Sequence, residues 1–95
     1  MKLSQPEHQH EVAVEVEELV ETAWRVVLYN DEVHTFEQVI VQLIKAIGCS
    51  MGTAEDMTWK VHLDGKALVF EGEFEDCLKV KSVLSEIGLI ARILG

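Results

Sequence analysis

The sequence predicts an α+β fold: a three-stranded, mainly antiparallel sheet with three helices on one face, in the order β-α-α-β-α-β. Three observations point to it. Runs of strand-forming residues fall at 23–29, 67–71 and 89–94, next to residues that favour turns. Between them lie segments with apolar residues at helical spacing, two of which stop at a glycine. The 95 residues, 48% hydrophobic with one Pro and six Gly, suffice for one core and not for two.

Residues 1–22 read as a flexible, acidic N-terminal extension and 23–95 as the folded core domain. The extension carries one Lys against six Glu, and Pro6 lies in its most polar part. Val12, Val14 and Val16 alternate as in a strand, whereas Val16, Leu19 and Val20 have helical spacing, so the pattern selects neither. His8 and His10 form a lone His-x-His pair without further ligands, and no metal site is assigned.

Ala23 to Tyr29 is the first strand, cut off by Asn30-Asp31-Glu32. Thr35 is the N-cap of the first helix, and Gln38 completes a capping box. Phe36, Val39, Ile40, Leu43, Ile44 and Ile47 then make one apolar stripe, and Gly48 supplies the stop. Thr53 is read as the cap of a shorter second helix reaching about Lys60, with Glu55 and Asp56 in its first turn. Val61, His62 and Leu63 follow as a connector to an Asp64-Gly65 turn, and Ala67 to Glu71 is the second strand. The third helix carries Phe74, Cys77, Val80, Leu84 and Ile87 on one face and stops at Gly88. Leu89 to Leu94 closes the chain as a buried strand.

The formal net charge of −9 argues against nucleic acid, whose phosphates call for a surplus of Lys and Arg. An acidic surface instead favours cationic partners, an N-terminal ammonium among them. No apolar run approaches the roughly 20 residues of a membrane span, and no basic-then-apolar signal pattern opens the chain, so the expectation is a cytoplasmic protein. Cys49 and Cys77 lack CxxC or metal-type spacing and read as thiols of a reducing compartment.

Chemistry concentrates at Asn30, Asp31 and Glu32, one amide and two carboxylates between two hydrophobic elements. They read either as a solvated Asx turn or as acceptors for a cation beside an apolar wall. His62 is the second contributor, because a neutral imidazole accepts a hydrogen bond from an ammonium. Phe36, at the mouth of the first helix, can wall such a pocket. No GxSxG, phosphate loop or cysteine motif is present, so neither an enzyme nor a cofactor is expected.

The pattern Asn30-Asp31-Glu32-x-x-Thr35-Phe36-x-x-Val39, then Ala54, then Val61-His62-x-x-Gly65-Lys66-Ala67, resembles the ClpS family of adaptors for the Clp ATP-dependent protease. The resemblance covers Trp24 to the final strand. It implies a fold similar to the C-terminal domain of the ribosomal stalk protein. It further implies binding of substrates that begin with Leu, Phe, Tyr or Trp, and their delivery to the N-terminal domain of a ClpA- or ClpC-type AAA+ unfoldase, with an acidic extension taking part. By position, Asn30, Asp31 and His62 would hold the substrate's α-ammonium, with Glu32 and His34 as polar support. Phe36, Val39, Thr58, Val61 and Leu89 would line the side-chain pocket, and Glu75 and Lys79 would touch the unfoldase. Phe36 and Thr58 replace residues that are often Met in the family, and His34 stands where Thr is common. Those departures motivate the alternative of a ClpS-like module that docks the unfoldase and regulates it without reading N-termini.

Overall fold

The computed structural model describes residues 23–95; the expected extension at 1–22 lies outside them. The elements are β1 (Trp24–Tyr29), α1 (Phe36–Ile47), α2 (Met51–Asp64), β2 (Lys66–Gly72), α3 (Phe74–Ser85) and β3 (Ile90–Leu94). The strand order is β2-β1-β3, and both pairings are antiparallel. This is the α+β arrangement that the hydrophobic pattern predicts.

As the middle strand, β1 is where alternation matters most, because its two neighbours fix which side chains face the helices. Val26 and Leu28 are fully buried, while Arg25 between strand start and core is exposed. The register shifts between Val26 and Val27, which pair with Phe70 and Leu68, and the bulged Val69 joins Ala67 in the core. Leu43, Ala54, Val61, Cys77, Val80 and Leu84 meet these residues from the three helices.

The first helix forms as its local chemistry dictates. The Thr35 hydroxyl accepts from the Gln38 N–H at 3.2 Å, and the Gln38 side chain accepts from the Thr35 N–H at 2.8 Å. Gly48 ends the helix at φ 67°, its N–H donating to the Ile44 carbonyl. Beyond the predicted stripe, Gln42 is also buried. Its amide donates to the Val83 carbonyl at 2.6 Å and to Glu86 at 3.3 Å, and Lys45 reaches the same carboxylate at 2.9 Å. Together they fasten α1 to the end of α3.

The second helix corrects the sequence reading at both ends. Ser50, not Thr53, is the N-cap, its hydroxyl oxygen accepting from the Thr53 N–H at 3.1 Å. Glu55 and Asp56 therefore lie beyond the first turn. At the other end the helix does not stop near Lys60 but continues to Asp64, so Val61, His62 and Leu63 are helical and not a connector. Gly65 terminates it at φ 86°, donating its N–H to the Val61 carbonyl at 2.9 Å. The third helix is shorter than predicted. It ends at Ser85, and Ile87 falls in the turn before Gly88, while Phe74 at its start is exposed and stacks edge-on against Trp24.

Candidate functional site

The site is assembled from the end of β1, the loop that follows it, and the last two turns of α2. The Asn30 N–H donates to the Gly65 carbonyl at 2.9 Å, prolonging the β1–β2 pairing by one bond. Gly65 is also the cap of α2, so this bond sets Asn30 beside the helical turn that carries His62. The left-handed backbone at Gly65 makes the reversal possible, which is why the Asp64-Gly65 pair matters to the site.

Beyond Asn30 the loop is ordered by Asp31. Its Oδ1 accepts from the N–H groups of Val33 and His34, both at 2.9 Å, forming an Asx turn. Its Oδ2 accepts from His34 Nδ1 at 2.8 Å. The other ring nitrogen of His34, Nε2, donates to the Ile87 carbonyl in the turn between α3 and β3. Partial desolvation opposes ionisation of Asp31, but the His34 and Val33 bonds outweigh it and hold the carboxyl below its ordinary range. The Ile87 carbonyl, and after it the Asp31 carboxylate, raise the pKa of His34.

These elements enclose a pocket of about 380 Å³. Asn30, Asp31, Glu32, His34, Phe36, Val39, Thr58, Val61, His62 and Leu89 all line it, so every residue expected at the amine-binding group or the apolar pocket comes to one cavity. Leu28, Tyr29 and Thr35 contribute to the wall as well, without having been assigned to it from sequence. Thr58, Val61 and Leu89 are buried, Phe36 and Val39 half-buried, and Asn30, Glu32 and His62 exposed. The result is an apolar floor under a polar rim. The Thr58 hydroxyl donates to the Ala54 carbonyl at 2.7 Å, so its proton is engaged within the helix and not offered to the cavity.

The rim also has an aromatic side. Phe36 meets Trp59 edge-on with ring centroids 4.6 Å apart, and meets His62 at 5.4 Å. Trp59 is half-exposed and lies 6.1 Å from the His62 ring, so Phe36 braces both. Sequence reasoning gave Trp59 no role here; its three-residue spacing from His62 on a helix is the signal that would have grouped them.

Chemically, the rim offers the Asn30 amide oxygen and the His62 imidazole as acceptors, near an ionised carboxylate and over an apolar cavity. That arrangement suits a cation joined to a hydrophobic group. Neither Cys49 nor Cys77 lines the pocket, and burial pushes the Cys77 thiol up. Glu75 and Lys79 are exposed on α3, four residues apart and so on one face, outside the pocket.

A protein-family model described as ATP-dependent Clp protease adaptor protein ClpS matches residues 20–88. The chain belongs to the ClpS family. Its fold is similar to that of Agrobacterium tumefaciens ClpS2, solved bound to L-phenylalaninamide: the TM-score is 0.67 with 24% identity, over 76% of this chain and 94% of that one. The chain is also 46% identical over 57 residues to the E3 ubiquitin-protein ligase UBR2 of Homo sapiens, which is 60% of this chain and 3% of that protein. It is 44% identical over 55 residues to the E3 ubiquitin-protein ligase UBR1 of Drosophila melanogaster, again 3% of that protein. The ClpS-family domain thus spans a small fraction of those curated relatives. The family model that it matches describes adaptors, which bind and present.

Proposed function

We propose that this ClpS-family protein recognises substrates by a bulky hydrophobic N-terminal residue and delivers them to a Clp AAA+ unfoldase. The observation that carries the reading is the single pocket that joins Asn30 and His62 at its rim to Thr58, Val61 and Leu89 at its floor. A free α-ammonium donates to the amide and the imidazole, Asp31 adds a negative charge, and the first side chain fills the cavity. L-phenylalaninamide, the ligand of Agrobacterium tumefaciens ClpS2, has this composition: a free amine next to a large apolar side chain.

The magnitudes fit reversible capture. Each charge-assisted hydrogen bond contributes about 1.5–3 kcal/mol, and burial of one Leu or Phe side chain about 1.5–3 kcal/mol. Less the cost of association, two or three such bonds and one side chain correspond to a Kd of about micromolar.

Delivery rests on other surfaces. Glu75 and Lys79 form the proposed contact with the N-terminal domain of a ClpA- or ClpC-type unfoldase, the acidic residues 1–22 take part, residues 23–95 are the adaptor core, and the setting is the cytoplasm. The alternative of a regulator without N-terminal recognition requires a lost pocket; an open cavity of about 380 Å³ favours recognition. A second reading concerns only the machinery downstream. The higher identity with segments of ubiquitin ligases supports a pocket of this kind serving a ligase in place of an unfoldase.

Fluorescence anisotropy with peptides beginning Leu, Phe, Tyr or Trp tests the recognition step. Binding is expected to require the free amine; equal affinity for N-acetylated peptides would refute it. Pull-down of an unfoldase N-terminal domain, lost on Glu75→Lys with Lys79→Glu, separates the two downstream partners.

A further inference from the structure

We propose that His34 is a positioning residue of the pocket: by donating from both ring nitrogens it ties the Asn30–Glu32 loop to the turn between α3 and β3, holding the polar rim over Leu89. The inference rests on the N-terminal recognition reading and deepens it.

The geometry is specific. Nδ1 faces the Asp31 carboxylate at 2.8 Å and Nε2 faces the Ile87 carbonyl, and neither partner has a proton to give. Both nitrogens must therefore donate, which only the imidazolium does. The side chain is 11% exposed, and a methyl group added at Gly88 would touch the ring at 3.8 Å, so the link is packed and not a loose surface pair. Ile87 lies two residues before Leu89 in the chain, and Leu89 is pocket floor. Asp31 follows Asn30 directly. The bridge thus ties the amine-binding edge to the turn that leads into the apolar floor, across 53 residues of sequence.

Loss of one proton breaks one of the two bonds. The neutral ring keeps either Asp31 or Ile87, and the loop and the turn are no longer held to each other. Other charges near the ring do not substitute. Glu32 is exposed on the loop, Glu86 in the turn is held by Lys45 and Gln42, and the Thr35 oxygen caps α1. His62 of α2 lines the same pocket from another element and makes no bond to the His34 ring. Affinity therefore falls at high pH, as the His34 bridge is lost. Loss of the ligand's own amine proton near pH 8 also weakens binding, but equally in any variant of His34.

The experiment is the Kd of a peptide beginning with Phe, measured from about pH 5.5 to 9, for the wild type and His34→Gln. The variant is expected to bind roughly tenfold more weakly at the acidic end, the effect of one lost charge-assisted bond, with the gap closing towards the alkaline end. A ratio independent of pH would overturn the proposal. Asp31→Asn keeps the Asx turn through its oxygen but turns a donating amide nitrogen towards Nδ1, so that a neutral ring can make both bonds; the alkaline loss assigned to His34 should disappear, and an unchanged alkaline loss also counts against the proposal. In the peptide-free protein, nitrogen NMR of the His34 ring should show both nitrogens protonated at neutral pH. A neutral ring there overturns the bridge without reference to any ligand. If the wild type binds no such peptide at any pH, the recognition reading fails and the positioning role with it, and the NMR result still decides whether the bridge exists.

Discussion

The Asn30 N–H and the Gly65 carbonyl are hydrogen-bonded at 2.9 Å, and this contact makes one site of two stretches of chain 35 residues apart. Asn30 directly follows β1, and Gly65 closes the helix that holds His62. The amide and the imidazole reach the same cavity because backbone, not side chain, fixes the distance between their elements.

If Asn30 and His62 hold one ammonium together, their losses are coupled. Asn30→Ala and His62→Ala should each weaken binding of a Leu- or Phe-initiated peptide about tenfold or more, at 1.5–3 kcal/mol per bond. The double variant should lose less than the sum, because the partner amine is already misplaced. Anisotropy titrations of all four proteins check this.

Gly65→Ala should damage fold and binding together. A side chain at φ 86° is strained by about 1–2 kcal/mol, and the strained residue is the acceptor for Asn30. Chemical denaturation should report the stability loss. Peptide affinity should fall although no residue of the pocket lining has changed.

Pocket volume should set preference among the large residues. Thr58 is buried floor, so Thr58→Met adds bulk where the first side chain enters. Affinity for Trp- and Phe-initiated peptides should fall more than for Leu. Phe36→Ala should do the reverse in size preference, while lowering affinity generally because Trp59 and His62 lose their brace. A panel of peptides differing only at the first residue measures both.

The Asp31–His34 pair should shape stability against pH. The pKa of His34 is raised above its ordinary 6.5, so its contribution is complete below that value and is lost as pH rises through the raised one. The pKa of Asp31 is lowered from its ordinary 3.8, so its contribution is present above that value and is lost as pH falls through the lowered one. The pair therefore stabilises most between about pH 4 and 6.5. Melting curves of wild type and His34→Gln should differ most in that window and converge above it.

The parts legible in the sequence were those with short-range causes. The capping box at Thr35 and Gln38, the stripe from Phe36 to Ile47 and the stop at Gly48 involve only neighbours in the chain, and all three form as read. The second helix was read as starting at Thr53, where Glu55 and Asp56 follow, but Ser is the stronger cap and the Ser50 oxygen accepts from the Thr53 N–H. Its last turn was read as a connector because Val61 and His62 are weak helix formers beside an Asp64-Gly65 turn, yet burial of Val61 against the core keeps the turn helical. Among the site residues, Asn30 and His62 stood out by type. His34 did not declare its role, since the Ile87 carbonyl it meets is a backbone atom that no side-chain pattern can announce.

The two indoles of the described residues sit in separate aromatic contacts, one on β1 and one on α2. Trp24 opens the strand against Phe74, whereas Trp59 stacks on Phe36 at the mouth of the pocket. Their emission should consequently separate into two reporters, one dimming or shifting when a guest arrives, the other silent until the domain melts. Trp24→Phe leaves the first alone, so occupancy of the unlabelled protein can be read directly from its own light.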